Sequence, residues 1–251
     1  MSDTMTIEDY LAQGGVLTSP GNAPPRYRGE LLRLMATFVD SELAASAGFA
    51  DTINASPGIT ARIAAARITL EKADHAERVL GLMGDFGADQ ARYAVHHPWA
   101  DRLPRDATLG QARHGGDMRL AVFHFPLQGW TDAVVMNVLQ GLAAGVTLAE
   151  LERVSYAPLA EVFRAIAPRE RRHTDLGIAG LAAIVATEEG RTAAKAAIVY
   201  WRPKVADSFG TANSARFETL RRFGLRHRPN EALLADWTAL VASTLAPMGL
   251  A

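Results

Sequence analysis

No cysteine occurs anywhere in the 251 residues, which removes disulfides, zinc ribbons, iron–sulfur clusters and thiol nucleophiles together. Any metal must therefore be held by histidine and carboxylate. An excess of one charge is lacking too. The 26 Lys and Arg stand against 27 Asp and Glu, without the positive surplus of a general nucleic-acid binder. The longest unbroken apolar run, Leu176 to Ala186, falls well short of the roughly 20 residues that span a bilayer. Asp3, Glu8 and Asp9 stand where an export signal carries positive charge and an apolar stretch. These absences point to a cytoplasmic protein bound to neither membrane nor nucleic acid. Gly-x-Gly-x-x-Gly, P-loop and Gly-x-Ser-x-Gly patterns are missing, so no nucleotide fold and no common hydrolase elbow is indicated, nor is a haem.

What is present is helical periodicity. With 49% hydrophobic residues the chain reads as folded. Residues 1–25 form a leader rich in breakers (Gly14-Gly15, Ser19-Pro20-Gly21, Pro24-Pro25) and are expected to lie extended on the surface, ahead of one helical domain over 26–251. The spacing predicts a first helix over Tyr27–Ala47, a second over Pro57–Met83, a third from Trp130 past Gly145 towards Arg153, and a fourth over Pro158–Glu189, interrupted or kinked at Pro168. Shorter helices follow near Thr192–Asp207, Ala215–Phe223 and Glu231–Leu245. The connection from Gly84 to Gln128 is loop-rich and holds His96, His97, His114 and His124, which read as surface residues. The expected architecture is all-α: a four-helix bundle with a long crossover and additional C-terminal helices.

Polar residues on apolar stripes carry the information, because burying charge without a partner is costly. Glu42 follows Leu31, Leu34, Met35 and Phe38 at helical spacing. Lys72 and His75 share the stripe of Ala65, Ile68, Val79 and Leu82. Glu170 and His173 follow Leu159, Phe163 and Ile166. An acid followed about thirty residues later by Glu-x-x-His, twice over, defines a carboxylate-bridged di-iron bundle. The second such motif is intact as Glu170-Arg171-Arg172-His173, whereas the first is Lys72-Ala73-Asp74-His75.

The sequence resembles the catalytic oxygenase subunit of the phenylacetyl-CoA epoxidase family, a ferritin-like group. The likeness runs from about Pro25 to Gly249 through Tyr27-Arg28, Ser41-Glu42, Trp130-x-Asp132, Ser155-Tyr156-x-Pro158, Glu170-x-x-His173, Tyr200-Trp201-x-Pro203, Phe209-Gly210 and Asn213-Ser214-Ala215-Arg216. Carried over by position, Glu42, His75, Glu170 and His173 match metal ligands. Two further ligand positions hold Lys72 and Gly141, with Asn137 and Gln140 as weak substitutes nearby. Protonated Lys72 can bridge Glu42 and Glu170 without iron, so the expected iron content is sub-stoichiometric or nil.

The resemblance implies an oxygenase-type protein acting on an aromatic or other acyl-CoA, with related helical subunits as homo- or hetero-oligomeric partners and a reductase supplying electrons. The other reading, from a different class, is a non-catalytic scaffold or binding subunit of such an assembly, in which Glu42, Lys72, Glu170 and His173 form an inherited salt-bridge network. The cations Arg202, Lys204, Arg216, Arg221, Arg222, Arg226 and Arg228 are either a solvated face or a CoA phosphate site. Arg216, in the matched Asn-Ser-Ala-Arg stretch, is the leading candidate.

Overall fold

The computed structural model describes residues 5–96, 98–109 and 116–250. Among them the chain is all-α, with helices α1 (Ile7–Ala12), α2 (Pro25–Thr52), α3 (Ile59–Asp85), α4 (Gln90–His96), α5 (Gly129–Leu151), α6 (Ala157–Ile184), α7 (Glu188–Asp207), α8 (Ala215–Arg222) and α9 (Asn230–Leu245). Local chemistry sets several ends. Pro25 occupies the first turn of α2, where its missing N–H costs nothing. Thr187 caps α7 through the Gly190 N–H, with Glu188 and Glu189 favourably placed in the first turn.

The antiparallel pairs α2–α3 and α5–α6 form a ferritin-like four-helix bundle, and α7 and α9 pack against α5. By length and composition α5 could cross a membrane, yet most of it is buried as the central helix of the bundle. Two apolar clusters make up the core. One gathers Leu31, Met35 and Val39 of α2 with Val79 of α3 and Leu159, Phe163 and Ile166 of α6. The other gathers Ala44, Ala45 and Phe49 with Ile68, Val135, Leu139 and Leu181. Along each of α2, α3 and α6 the charged residues fall between the two clusters. A polar layer thus crosses the middle of the bundle.

The structure corrects three sequence expectations. The leader is not simply extended: it forms α1, buries Leu11 and Leu17, and pairs Leu17 with Tyr156 by main-chain bonds. Pro168 does not interrupt α6, which runs unbroken through it. Its ring lies on the exposed face, where the carbonyl that loses its donor can turn to water. The crossover from α3 to α5, read as loop-rich, holds the short helix α4 as well and is anchored on α2. Asp40 of α2, fully buried, accepts hydrogen bonds from Tyr93 Oη (2.6 Å), Trp99 Nε1 (3.4 Å) and the Met118 amide (2.7 Å). Buried Arg119 donates to the carbonyls of Pro98 (2.6 Å) and Asp101 (2.9 Å) and pairs with Asp117. His97 and His114 lie outside the described residues, and His124 is half-buried in a 3-10 turn over Ala121–His124.

Asp40→Ala removes the buried acceptor that those three donors share. We expect it to cost roughly 3 kcal/mol in urea unfolding, because hydrogen bonds to a buried ion are the strong ones and unmade ones are expensive. A change below about 0.5 kcal/mol would show that the crossover is held otherwise.

Several residues of the matched motifs are joints of this fold. Asp132 takes two bonds from Arg105 (2.8 and 3.2 Å), one from Trp201 Nε1 (2.9 Å) and one from the Gln128 amide. The Arg105 guanidinium lies over the Tyr200 ring. Tyr27 Oη and Ser155 Oγ lie 2.9 Å apart, tying α2 to the turn before α6.

Candidate functional site

Glu42, Lys72, His75, Glu170 and His173 converge in the polar layer, all of them buried. Lys72 Nζ is its centre, 3.1 Å from Glu42 Oε1 and 3.1 Å from both oxygens of Glu170. His75 Nδ1 stands 3.2 Å from Glu42 Oε2 and 3.0 Å from Glu170 Oε1. His173 Nδ1 reaches Glu170 Oε1 at 3.2 Å, and the two imidazoles stack with centroids 5.8 Å apart.

The electrostatics follow from these distances. Burial pulls the Lys72 pKa down, but the carboxylates of Glu170 and Glu42 outweigh it and hold the ammonium charged, above the ordinary lysine range. Burial pushes Glu170 up. The Lys72 charge and the hydrogen bonds from His173 and His75 overcome that and set it well below the usual carboxylate range. His75 is likewise pulled down by burial and raised past it by its bonds to Glu170 and Glu42.

Donor atoms of Glu42, His75 and Glu170 all lie within 4.8 Å of one another, a spacing that can surround a cation. The cation present is the Lys72 ammonium. A carboxylate-bridged di-iron pair uses four carboxylates and two histidines. Here position 72 supplies an ammonium, and position 141 supplies a glycine. A β-carbon at Gly141 would stand 2.4 Å from Thr174 Oγ1, so a threonine side chain fills the space a ligand there would need. Asn137 gives its amide to the His173 carbonyl (2.9 Å), and Gln140 Oε1 has no hydrogen-bond partner among the described residues.

Glu71 escaped the sequence reading. Its Oε2 lies 2.7 Å from His173 Nε2 and its Oε1 2.5 Å from Arg172. Burial raises its pKa, but Arg172 and His173 bring it below the ordinary value. The available signal was its position directly before Lys72 and four residues before His75. The stripe criterion passed over it because it is only half-buried.

A cavity of ≈ 230 Å³ opens from the polar layer. Glu42, Lys72 and Glu170 line it together with Leu34, Phe38, Ala144 and Leu148; Leu34 and Phe38 border this space while also packing against the core, Phe38 edge-on to Phe163. Arg33, Arg216 and Arg226 line it as well. Of the cations singled out in the sequence, only Arg216 and Arg226 reach it. Arg216 pairs with Glu30 at 2.5 Å, Arg221 with Glu218 and Arg228 with Asp236, while Lys204 sits over Phe125 and Tyr200. Arg33, on α2, was not anticipated.

No curated protein matches the chain. The family model for phenylacetic acid catabolic protein matches residues 16–251, nearly the whole chain and every element of the site. Together with the helical bundle and its central acids and histidines, that match makes this an oxygenase-related protein of phenylacetate catabolism, and the chain belongs to the phenylacetic acid catabolic protein family.

Proposed function

We propose that this chain is a metal-independent subunit of a phenylacetate-type oxygenase assembly and holds an acyl-CoA-like thioester in the cavity beside Lys72. The observation that carries the reading is the Lys72 ammonium seated between Glu42 and Glu170. Two carboxylates and one ammonium leave about one negative charge, against the four that balance two divalent irons in this type of centre. The arginines lining the cavity suit the phosphates of CoA, and its apolar walls suit an acyl group. In this reading related helical subunits in the cytoplasm complete the assembly, one of them carrying the iron centre that a reductase serves.

Titration calorimetry with phenylacetyl-CoA should find one site per chain. Arg216→Ala combined with Arg226→Ala should weaken binding by roughly tenfold or more, because each guanidinium contributes a charge-assisted contact. Absence of binding by the wild-type chain, alone and with its partner subunits, would end the thioester reading.

The proximity of the Glu42, His75 and Glu170 donors favours one competing reading, a catalytic oxygenase with an altered centre. NAD(P)H-coupled oxygen consumption by this chain alone with a matched reductase would select it.

A further inference from the structure

The run from Leu176 to Ala186, the longest apolar stretch of the sequence, is not all core. Leu181 is buried, but Ala179, Ala182, Ala183 and Ala186 are exposed, and charge returns only at Asp175 and Glu188. The neighbouring part of α3 carries larger side chains outward. Ile59 (79% exposed), Ile63 (53%) and Leu70 (71%) recur with exposed Ala66 at intervals of four, three and four, so they form one stripe along the helix. Ala65 and Ile68, on the opposite side of the same turns, already serve the core. The stripe is thus a second apolar face of α3, turned away from the bundle.

A groove of ≈ 400 Å³ adjoins it. α3 and α6 are tied together at the polar layer, where Glu71 meets His173 and Arg172. Towards the start of α3 the groove lies between them. Ile59, Thr60 and Ala64 line it from α3, Gly180 and Ala183 from α6, and Trp130 from α5, and no charged side chain joins them. An exposed apolar surface of this kind marks an interaction site, and a groove beside a helical stripe is a shape into which an amphipathic helix packs.

The charges at the edges decide which helix. Arg62 and Arg67 flank the stripe on its two sides, and both are exposed. Among the described residues neither has an ion pair or a side-chain hydrogen bond, whereas Arg78, Arg169 and Arg172 on the same two helices each have an acid. A second copy of this chain is a poor match. A two-fold axis that lays the stripe on itself brings Ile59 against Leu70 and Ile63 against Ala66, and with them Arg62 against Arg67 on both sides. A flat lipid surface leaves the recessed groove unfilled.

We infer that this face of α3 and α6 docks a helix of another protein, apolar along one side and edged with Asp or Glu. The stripe, about 17 Å long at three turns, supplies the contact area. The two arginines supply the choice, attracting acid and repelling a copy of themselves. The inference does not rest on the thioester reading.

Fluorescence anisotropy on the full chain tests it with two labelled peptides of roughly 18 residues, long enough to hold helical structure. Both carry leucine along one face; one has glutamate on both edges, the other lysine. At low salt the wild type should bind the glutamate peptide about fivefold more tightly or better, and added salt should narrow the gap. Arg62→Glu combined with Arg67→Glu should reverse the preference. Ile63→Ser combined with Leu70→Ser should weaken both peptides by roughly tenfold while the melting temperature stays within about 2 °C, since these side chains are exposed. Failure of the glutamate peptide to bind, equal affinity for the two, a preference that survives charge reversal, or binding indifferent to Ile63 and Leu70 would overturn the inference. So would a wild-type dimer in sedimentation that the serine variant loses, or anionic vesicles bound in preference to either peptide.

Discussion

Lys72→Met should lower the melting temperature by roughly 10 °C in metal-free buffer at neutral pH, and divalent metal should restore much of it. The ammonium is the resident counter-ion of Glu42 and Glu170, at 3.1 Å from each. Methionine keeps the volume and removes the charge, leaving two carboxylates facing each other in the interior. Breaking a buried pair from one side costs about 3–5 kcal/mol. For a chain of this size each kcal/mol is worth roughly 2–4 °C. The sign with pH follows directly. With the ammonium gone, the group of Glu42, Glu170 and the His75 imidazole between them takes up a proton more readily than in the unfolded chain. Its pKa is thus raised, and the variant recovers stability as pH falls through that raised value. Ferrous or zinc ions can take the vacated position because the Glu42, His75 and Glu170 donors lie within 4.8 Å of one another. A ligand at about a hundred times its Kd returns about 2.7 kcal/mol. Thermal scans with and without metal, at pH 5 and pH 7.5, give the answer. A variant as stable as the wild type and indifferent to metal would show that the lysine is not the counter-ion.

The second large effect concerns iron. The unmodified protein should carry well under two irons per chain after anaerobic ferrous loading. Restoring the missing acids with Lys72→Glu and Gly141→Asp should not suffice by itself, because the new β-carbon at position 141 would meet Thr174 Oγ1 at 2.4 Å. Thr174 is buried and its hydroxyl is bonded to the Glu170 carbonyl, so it cannot swing aside freely. Adding Thr174→Ala removes the offending oxygen. The triple variant should take up iron towards two per chain, since the other ligands already sit on packed helices. Elemental analysis distinguishes the outcomes. Two tightly bound irons in the wild type would overturn the ammonium-centred account. A double variant that fills as well as the triple would show that Thr174 is no obstacle.

Both predictions grow from a layer whose membership could be read from spacing. The helical repeat alone places Glu42 on the stripe of Leu31 and Met35, Lys72 and His75 on that of Ile68 and Val79, and Glu170 and His173 on that of Phe163 and Ile166. The repeat is a local property with a period fixed by backbone geometry, so the sequence carries it openly. The same holds for most of the helices, although the break at Thr187, which caps α7, falls inside the fourth helix expected from the spacing. The matched motifs gave the family, although Asp132 and Tyr27, which belong to them, turn out to tie helices together.

What the sequence determined by itself, then, was the helices from α2 onwards except α4, the inward faces of three of them, and the five residues those faces bring to one layer. The tertiary structure decided everything that depends on which faces meet. It gave Glu71 to His173, 102 positions away, set Thr174 against Gly141, and anchored the crossover on Asp40. It also turned Leu34, Phe38 and Gln140 towards a cavity and chose Arg33 and Arg226 among many arginines to line it. Pro168 stayed within an unbroken helix because its exposed side can be completed by water, a fact of packing that no local pattern contains. Contacts between distant segments are set by how helices pack side by side, and a single sequence records the period of each helix but not its neighbour.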